Sequence, residues 1–189
     1  MKVPYQICVS GAAAGKSVGP AVKLAADVAK EIVARGHIVL TGATKGIPYA
    51  AAVAAKKAGG MSIGFSPAAS RRAHVMKYRL PLDGFDTILY TGFEYTGRNL
   101  ILVRSSDAVI TVGGRIGTLN EFTIAIEEHK PLGVLMGSGG MTDEIEWVLK
   151  AAQRTRAGII FDDDPKRLVD RVIAMIGKKN RRLEDGEDT

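Results

Sequence analysis

Apolar positions along the chain follow two alternating rhythms. Short apolar or β-branched runs, such as Ile7–Val9 and Ala108–Val112, are separated by longer stretches with helical spacing. In one of these, Val22, Ala25, Ala26, Ala29, Ile32 and Val33 recur three and four residues apart, which lines one face of a helix. The pattern predicts strands near 5–10, 37–41, 61–65, 86–90, 107–112, 131–136 and 158–161. It predicts helices near 19–35, 47–59, 94–105, 117–129, 141–155 and 164–177. Gly36 and Gly59-Gly60 mark helix ends, and Pro131 stands at the start of a strand, where its missing N–H costs least.

Strands alternating with helices are the sign of βαβ units and a parallel sheet. The expected fold class is therefore α/β: a Rossmann-like three-layer α/β/α arrangement with a mainly parallel sheet of about seven strands. Residues 1–177 read as a single Rossmann-like nucleotide-binding domain and 178–189 as a charged C-terminal tail. Residues 66–85, with Ser66-Pro67, Arg71-Arg72 and Pro81-Leu82-Asp83-Gly84, form a long connection and are a candidate lid or substrate loop. In such a sheet, ligands bind beyond the carboxyl ends of the strands. The glycine-bearing loops at 11–19, 42–46, 113–117 and 137–140 should share that rim.

Composition narrows the classes. With 46% hydrophobic and 24% charged residues in 189, the chain has the make-up of an ordinary globular domain. No apolar run approaches the ~18–20 residues of a membrane span, and the N-terminus lacks a signal-peptide core, so a cytoplasmic protein without membrane contact is expected. The single Cys8 sits in the first apolar run and reads as a small buried hydrophobe. The net charge of +6 comes from scattered basic residues. The one dense basic run, Lys178, Lys179, Arg181 and Arg182, is followed at once by Glu184, Asp185, Glu187 and Asp188. No aromatic-rich strand interleaves with the charges, which favours a small anionic ligand over nucleic acid. His37, His74 and His129 lack metal-site companions, so no metal is expected. Asp162-Asp163-Asp164-Pro165 reads as an acidic helix cap rather than a cation loop.

The strongest chemical signal is Val109-Ile110-Thr111-Val112-Gly113-Gly114-Arg115-Ile116-Gly117-Thr118-Leu119-Asn120-Glu121, an apolar strand entering a glycine turn and a helix. A turn of this kind directs backbone N–H groups and the positive end of a helix dipole at an anion, which suits a phosphate. Gly113, Gly114, Arg115, Ile116, Gly117 and Thr118 are the candidate phosphate-binding residues. Glu121 would face a ligand's sugar, although Thr118-x-x-Glu121 is also a capping-box pattern. Ser10-Gly11-Ala12-Ala13-Ala14-Gly15-Lys16-Ser17 comes close to an ATPase phosphate loop, but leaves three residues instead of four between its glycines. Gly11 remains a candidate ligand contact, as does Gly42 in Thr41-Gly42-Ala43-Thr44-Lys45-Gly46-Ile47-Pro48; Lys45 reads equally as a phosphate contact or a solvated charge. Arg98 offers paired donors to a phosphate or a ribose hydroxyl, or a surface ion pair. No Gly-x-Gly-x-x-Gly fingerprint supports NAD, and no bound cofactor is expected.

On these residues the chain resembles the SLOG superfamily, and within it the Lonely Guy proteins often mislabelled lysine decarboxylases. The likeness covers about residues 5–177. It rests on Thr41-Gly42-x-x-x-Gly46-Ile47-Pro48, Gly97-Arg98-Asn99, Ser106-Asp107-Ala108 and the Gly-x-Ile-Gly-Thr-Leu-x-Glu run ending at Glu121. Arg98 stands nine residues before Asp107, as the family's arginine does before its Ser-Asp-Ala aspartate. Gly113 stands where the family has proline, and Arg115 where it has a second glycine. The resemblance implies a Rossmann-like homodimer or higher homo-oligomer that binds a small phosphorylated nucleotide-like ligand. In the family's enzymes such proteins cleave the N-glycosidic bond of nucleoside 5′-monophosphates, with Glu121 and Arg98 in the catalytic roles. The alternative it leaves open is a non-catalytic binding protein, such as a molybdenum-cofactor carrier or nucleotide sensor. A decarboxylase is not supported, because no lysine has a pyridoxal-phosphate setting.

Overall fold

The computed structural model describes residues 3–16 and 18–184; residues 1–2, Ser17 and residues 185–189 of the charged tail lie outside the described residues. Seven strands are β1 (Gln6–Ser10), β2 (Ile38–Gly42), β3 (Ser62–Ser66), β4 (Thr87–Tyr90), β5 (Ala108–Val112), β6 (Leu132–Leu135) and β7 (Ile159–Asp162). Seven α-helices are α1 (Val18–Ala34), α2 (Gly46–Lys57), α3 (Arg71–Met76), α4 (Glu94–Arg104), α5 (Ile116–Glu127), α6 (Ile145–Ala151) and α7 (Pro165–Glu184). The sheet is wholly parallel, in the order β4-β3-β2-β1-β5-β6-β7. The expected Rossmann-like α/β architecture is therefore present.

Side-chain alternation along the strands builds two cores. Ile7 and Val9 of β1, with Ala108, Ile110 and Val112 of β5, face α1, α2 and α7. Cys8 and Val109 point the other way, into a second core with Leu102 and Val103 of α4, Phe122 of α5 and Leu149 of α6. Both faces of the sheet are covered, which explains why the strands read as continuous apolar runs. No helix among the described residues is long and apolar enough to cross a membrane.

The sequence pattern and the structure differ in three places. The segment predicted as one helix at 141–155 is divided into a 3-10 turn, Gly140–Glu144, and the short α6. The 66–85 connection contains α3, capped by the Ser70 hydroxyl, and is pinned by buried His74. His74 lies between the Ser66 hydroxyl at 2.8 Å and the Pro81 carbonyl at 2.9 Å. Finally, α7 does not stop at Gly177 but runs on to Glu184. A mid-helix glycine costs only about 1 kcal/mol, and the buried stripe Leu168, Val169, Val172 and Ile176 holds the helix to the sheet. Lys179 extends that anchorage by donating to the His129 carbonyl at 2.6 Å.

Candidate functional site

The sheet order reverses beside β1: β2, β3 and β4 build outward on one side, while β5, β6 and β7 build on the other. The loops leaving β1 and β5 diverge there and open a crevice at the carboxyl edge, the usual ligand position of such sheets. A cleft of about 350 Å³ occupies this place. Gly11, Gly42, Arg98, Arg115, Ile116 and Gly117 line it, with Thr118 and Glu121. The structure thus brings eight of the ten candidate residues to one cavity.

At its floor lies a buried ion pair. The side chains of Arg98 and Glu121 are 6% and 8% exposed, with Arg98 Nη1 3.3 Å from Glu121 Oε1. The Ser10 hydroxyl, at the end of β1, donates to Glu121 Oε2. A carboxylate accepts only, so the Asn99 amide turns its nitrogen inward, donating to Glu121 Oε1 at 2.9 Å and to the Tyr95 carbonyl at 3.0 Å. Burial pushes the Glu121 carboxyl above its ordinary value, with Arg98 and the Ser10 hydroxyl pulling it back. Burial and the charge of Glu121 likewise push the Cys8 thiol upward, so this cysteine stays protonated and inert.

Two glycines make room for this floor. A Cβ at Gly42 would stand 2.2 Å from Arg98 Nη1, so the guanidinium lies directly on the end of β2. A Cβ at Gly11 would stand 2.3 Å from Ile47 Cγ2 and 2.8 Å from the Val112 carbonyl oxygen. Gly11 therefore lets the β1 loop pass between α2 and β5.

The wall is the start of α5. Its N-cap is Arg115, whose side chain makes no capping hydrogen bond. Gly114, at φ 108°, takes a backbone conformation that side chains rarely adopt, and a Cβ there would meet Thr118 Oγ1 at 2.4 Å. Glu121 lies beyond the first turn and bonds to Ser10, so the capping-box reading of Thr118-x-x-Glu121 does not hold. Thr118 Oγ1 is buried with no hydrogen-bond partner among the described residues, and so is Arg98 Nε. Both residues line the cleft, and the desolvation of each atom, about 1–3 kcal/mol, is uncompensated among the described residues.

Gly113 and Gly114 stand behind the cleft and do not line it. The Gly113 N–H donates to Ser138 Oγ at 2.8 Å, and the Gly113 carbonyl accepts from the Thr142 hydroxyl and, at 3.2 Å, from the Thr142 N–H. The Gly114 carbonyl accepts from the Met141 N–H at 3.0 Å. The glycine loop at 137–140 is thus a buttress for the β5 turn. Lys45 is exposed and does not line the cleft, and neither does any residue of 66–85. Ser10, Tyr95 and Asn99 belong to the site but were not singled out from the sequence. Ser10 ends an apolar strand at the ligand rim, and Tyr95 and Asn99 are one helical turn apart beside Arg98; these were the available signals.

Comparison with known proteins completes the picture. The SLOG cluster4 family model matches residues 4–169. The chain belongs to that family. This SLOG protein is 35% identical over 130 residues to an uncharacterized protein of Archaeoglobus fulgidus, covering 69% of this chain and 79% of the relative. Among solved structures it is similar to the molybdenum cofactor binding protein of Rippkaea orientalis, with TM-score 0.77, 26% identity and coverage of 93% and 99% of the two chains. It is also similar to the Moco carrier protein of Chlamydomonas reinhardtii, with TM-score 0.75, 25% identity and the same coverage.

Proposed function

We propose that the cleft binds a small phosphorylated nucleotide-like ligand and that the protein is a nucleoside 5′-monophosphate phosphoribohydrolase. The observation that carries this reading is the buried Glu121 carboxylate at the floor of the cleft, paired with Arg98 and lying one turn beyond an unpartnered Thr118 hydroxyl. A titratable group pushed from its ordinary value inside a cleft is a mark of function, because burying an ion pair gives little stability by itself.

In this reading the 5′-phosphate sits at the N-terminus of α5, where free N–H groups, the Thr118 hydroxyl and the Arg115 guanidinium meet it. The ribose then lies over Glu121. Breaking the N-glycosidic bond leaves its electron pair on the base nitrogen and builds positive charge at C1′, which a fixed carboxylate stabilises. Water supplies its oxygen to C1′, and one of its protons ends on the base, giving free base and ribose 5-phosphate. Arg98 holds Glu121 in place from the floor of the cleft.

A second reading, a molybdenum-cofactor carrier, draws on the likeness to the Rippkaea orientalis protein. The cargo would be a phosphorylated pterin, held by the same phosphate corner without turnover. Incubation with AMP and other nucleoside monophosphates, with base release followed chromatographically, separates the two. Release by the wild type that is lost in Glu121→Gln supports the hydrolase. Thermal stabilisation by molybdenum cofactor, with no base released from any monophosphate, moves the function to the carrier.

Self-association belongs to the same proposal. Phe93 at the start of α4 is 64% exposed, Tyr95 is 47% exposed, and Ile116 at the start of α5 is 78% exposed. A second copy covering them would remove apolar surface from water and wall the mouth of the cleft. Phe93→Glu should convert a dimer to a monomer in sedimentation experiments. An unchanged mass would remove this face from the interface.

A further inference from the structure

The opposite edge of the sheet, where the strands begin, holds a larger cavity of about 540 Å³. Its floor is apolar: Ile126 from α5, Pro131 and Leu132 at the start of β6, Ile159 at the start of β7 and Met175 from α7. Its rim carries Lys130, Arg154, Lys178 and Lys179, and among the described residues no carboxylate lines it. We propose that this cavity is a second ligand site, separate from the cleft, that takes an amphipathic organic anion: an acyl or aromatic body on the floor with a carboxylate or phosphate head among the lysines.

Local structure accounts for part of the charge. Lys130 donates to the Arg104 carbonyl at 3.1 Å and Lys179 to the His129 carbonyl at 2.6 Å, so each satisfies backbone near a helix end. Arg154 pairs with Glu127 at 2.5 Å. Lys178 has no hydrogen bond or ion pair among the described residues, yet it too faces the cavity. Burial first, and then the charge of Lys179, lowers the Lys130 ammonium from its ordinary value, with Asp107 and Glu128 opposing more weakly. The protein alone therefore holds like charges together around an apolar floor, and a bound anion relieves both the repulsion and the exposed apolar area. The volume lies within the range of about 300–1,000 Å³ of small-molecule sites.

The site depends on α7 continuing past Gly177, because Lys178 and Lys179 reach the rim only as helical residues. It does not depend on the function of the cleft.

The test uses the full chain and anilinonaphthalene sulfonate, a fluorescent amphipathic anion. Saturable binding at one site is expected, displaced by decanoate but not by decanol or AMP. Lys178→Glu, a substitution at an exposed position, and Lys130→Met should each weaken it about tenfold, while Glu121→Gln and Phe93→Glu leave it unchanged. Lys178→Glu is decisive if Lys130→Met lowers the melting temperature. Affinity unchanged in Lys178→Glu, displacement by decanol as strong as by decanoate, displacement by AMP, or loss of binding in Phe93→Glu would each overturn the proposal.

Discussion

Two carboxylates sit at the same edge of the sheet and titrate in opposite directions. Glu121, at the floor of the cleft, is pushed up because burial outweighs its partners Arg98 and Ser10. Asp162, at the end of β7, also meets an opposing burial effect, but the Asp164 N–H and the guanidinium groups of Arg167 and Arg171 outweigh it and hold the carboxyl at about 2. Those partners are exposed arginines at 2.8 and 2.9 Å, together with a backbone donor at 3.1 Å. Asp162 is thereby locked into the start of α7, where the Asp164 carboxylate caps the Arg167 N–H at 2.8 Å. The difference teaches that an acidic residue at the ligand rim is not a site by position alone. Asp162 satisfies its charge within the protein, whereas the pair at Glu121 leaves Arg98 Nε unsatisfied beside a cavity.

Activity should show the widest separation. Under the hydrolase reading, Glu121→Gln should lower base release by on the order of 10²–10³-fold, whereas Asp162→Asn should leave it near wild type. Equal losses in steady-state assays would erase the distinction. Stability comes next. Glu121→Ala strands a buried guanidinium and should cost about 3–5 kcal/mol in urea unfolding, and adding Arg98→Met should restore part of that loss. Asp162→Asn, which weakens contacts to exposed arginines, should cost about 1 kcal/mol.

The subtlest contrast is in pH. The folded value of Glu121 lies above the ordinary 4.5, so its contribution to stability is present below that value and is lost as pH rises through the raised one. Asp162 behaves in reverse: its contribution is present above the ordinary 3.8 and is lost as pH falls towards about 2. The stability of wild type relative to Glu121→Gln should therefore decline with rising pH, and relative to Asp162→Asn with falling pH. Slopes of the same sign would show that the two carboxylates share one environment.

Much of this was readable from order along the chain. The alternation of apolar runs and helical stripes located seven strands within a residue or two, because strand faces and helix stripes repeat locally. The family motifs named Arg98 and Glu121, 23 residues apart in sequence, and the structure joins them in one ion pair. The Asp162–Pro165 cap was legible too, since a cap involves only near neighbours. The extension of α7 was harder to read, because Gly177 and the charges after it suggest an end, while the contact that holds the helix there is to a carbonyl fifty residues away.

The sequence by itself determined the fold class, the ligand rim and the turn at the start of α5, since these depend on local periodicity and on where glycine permits the backbone to bend. Only the tertiary structure decided which glycines touch the cleft and which are buttressed behind it. Only it revealed that Ser10 and Asn99 bond to Glu121, and that basic residues from α7 and from the loops after α5 and α6 gather around an apolar floor at the far edge. Such groupings arise where strands distant in sequence become neighbours in the sheet. Burial and charge act through that spatial proximity, and no local spacing along the chain encodes it.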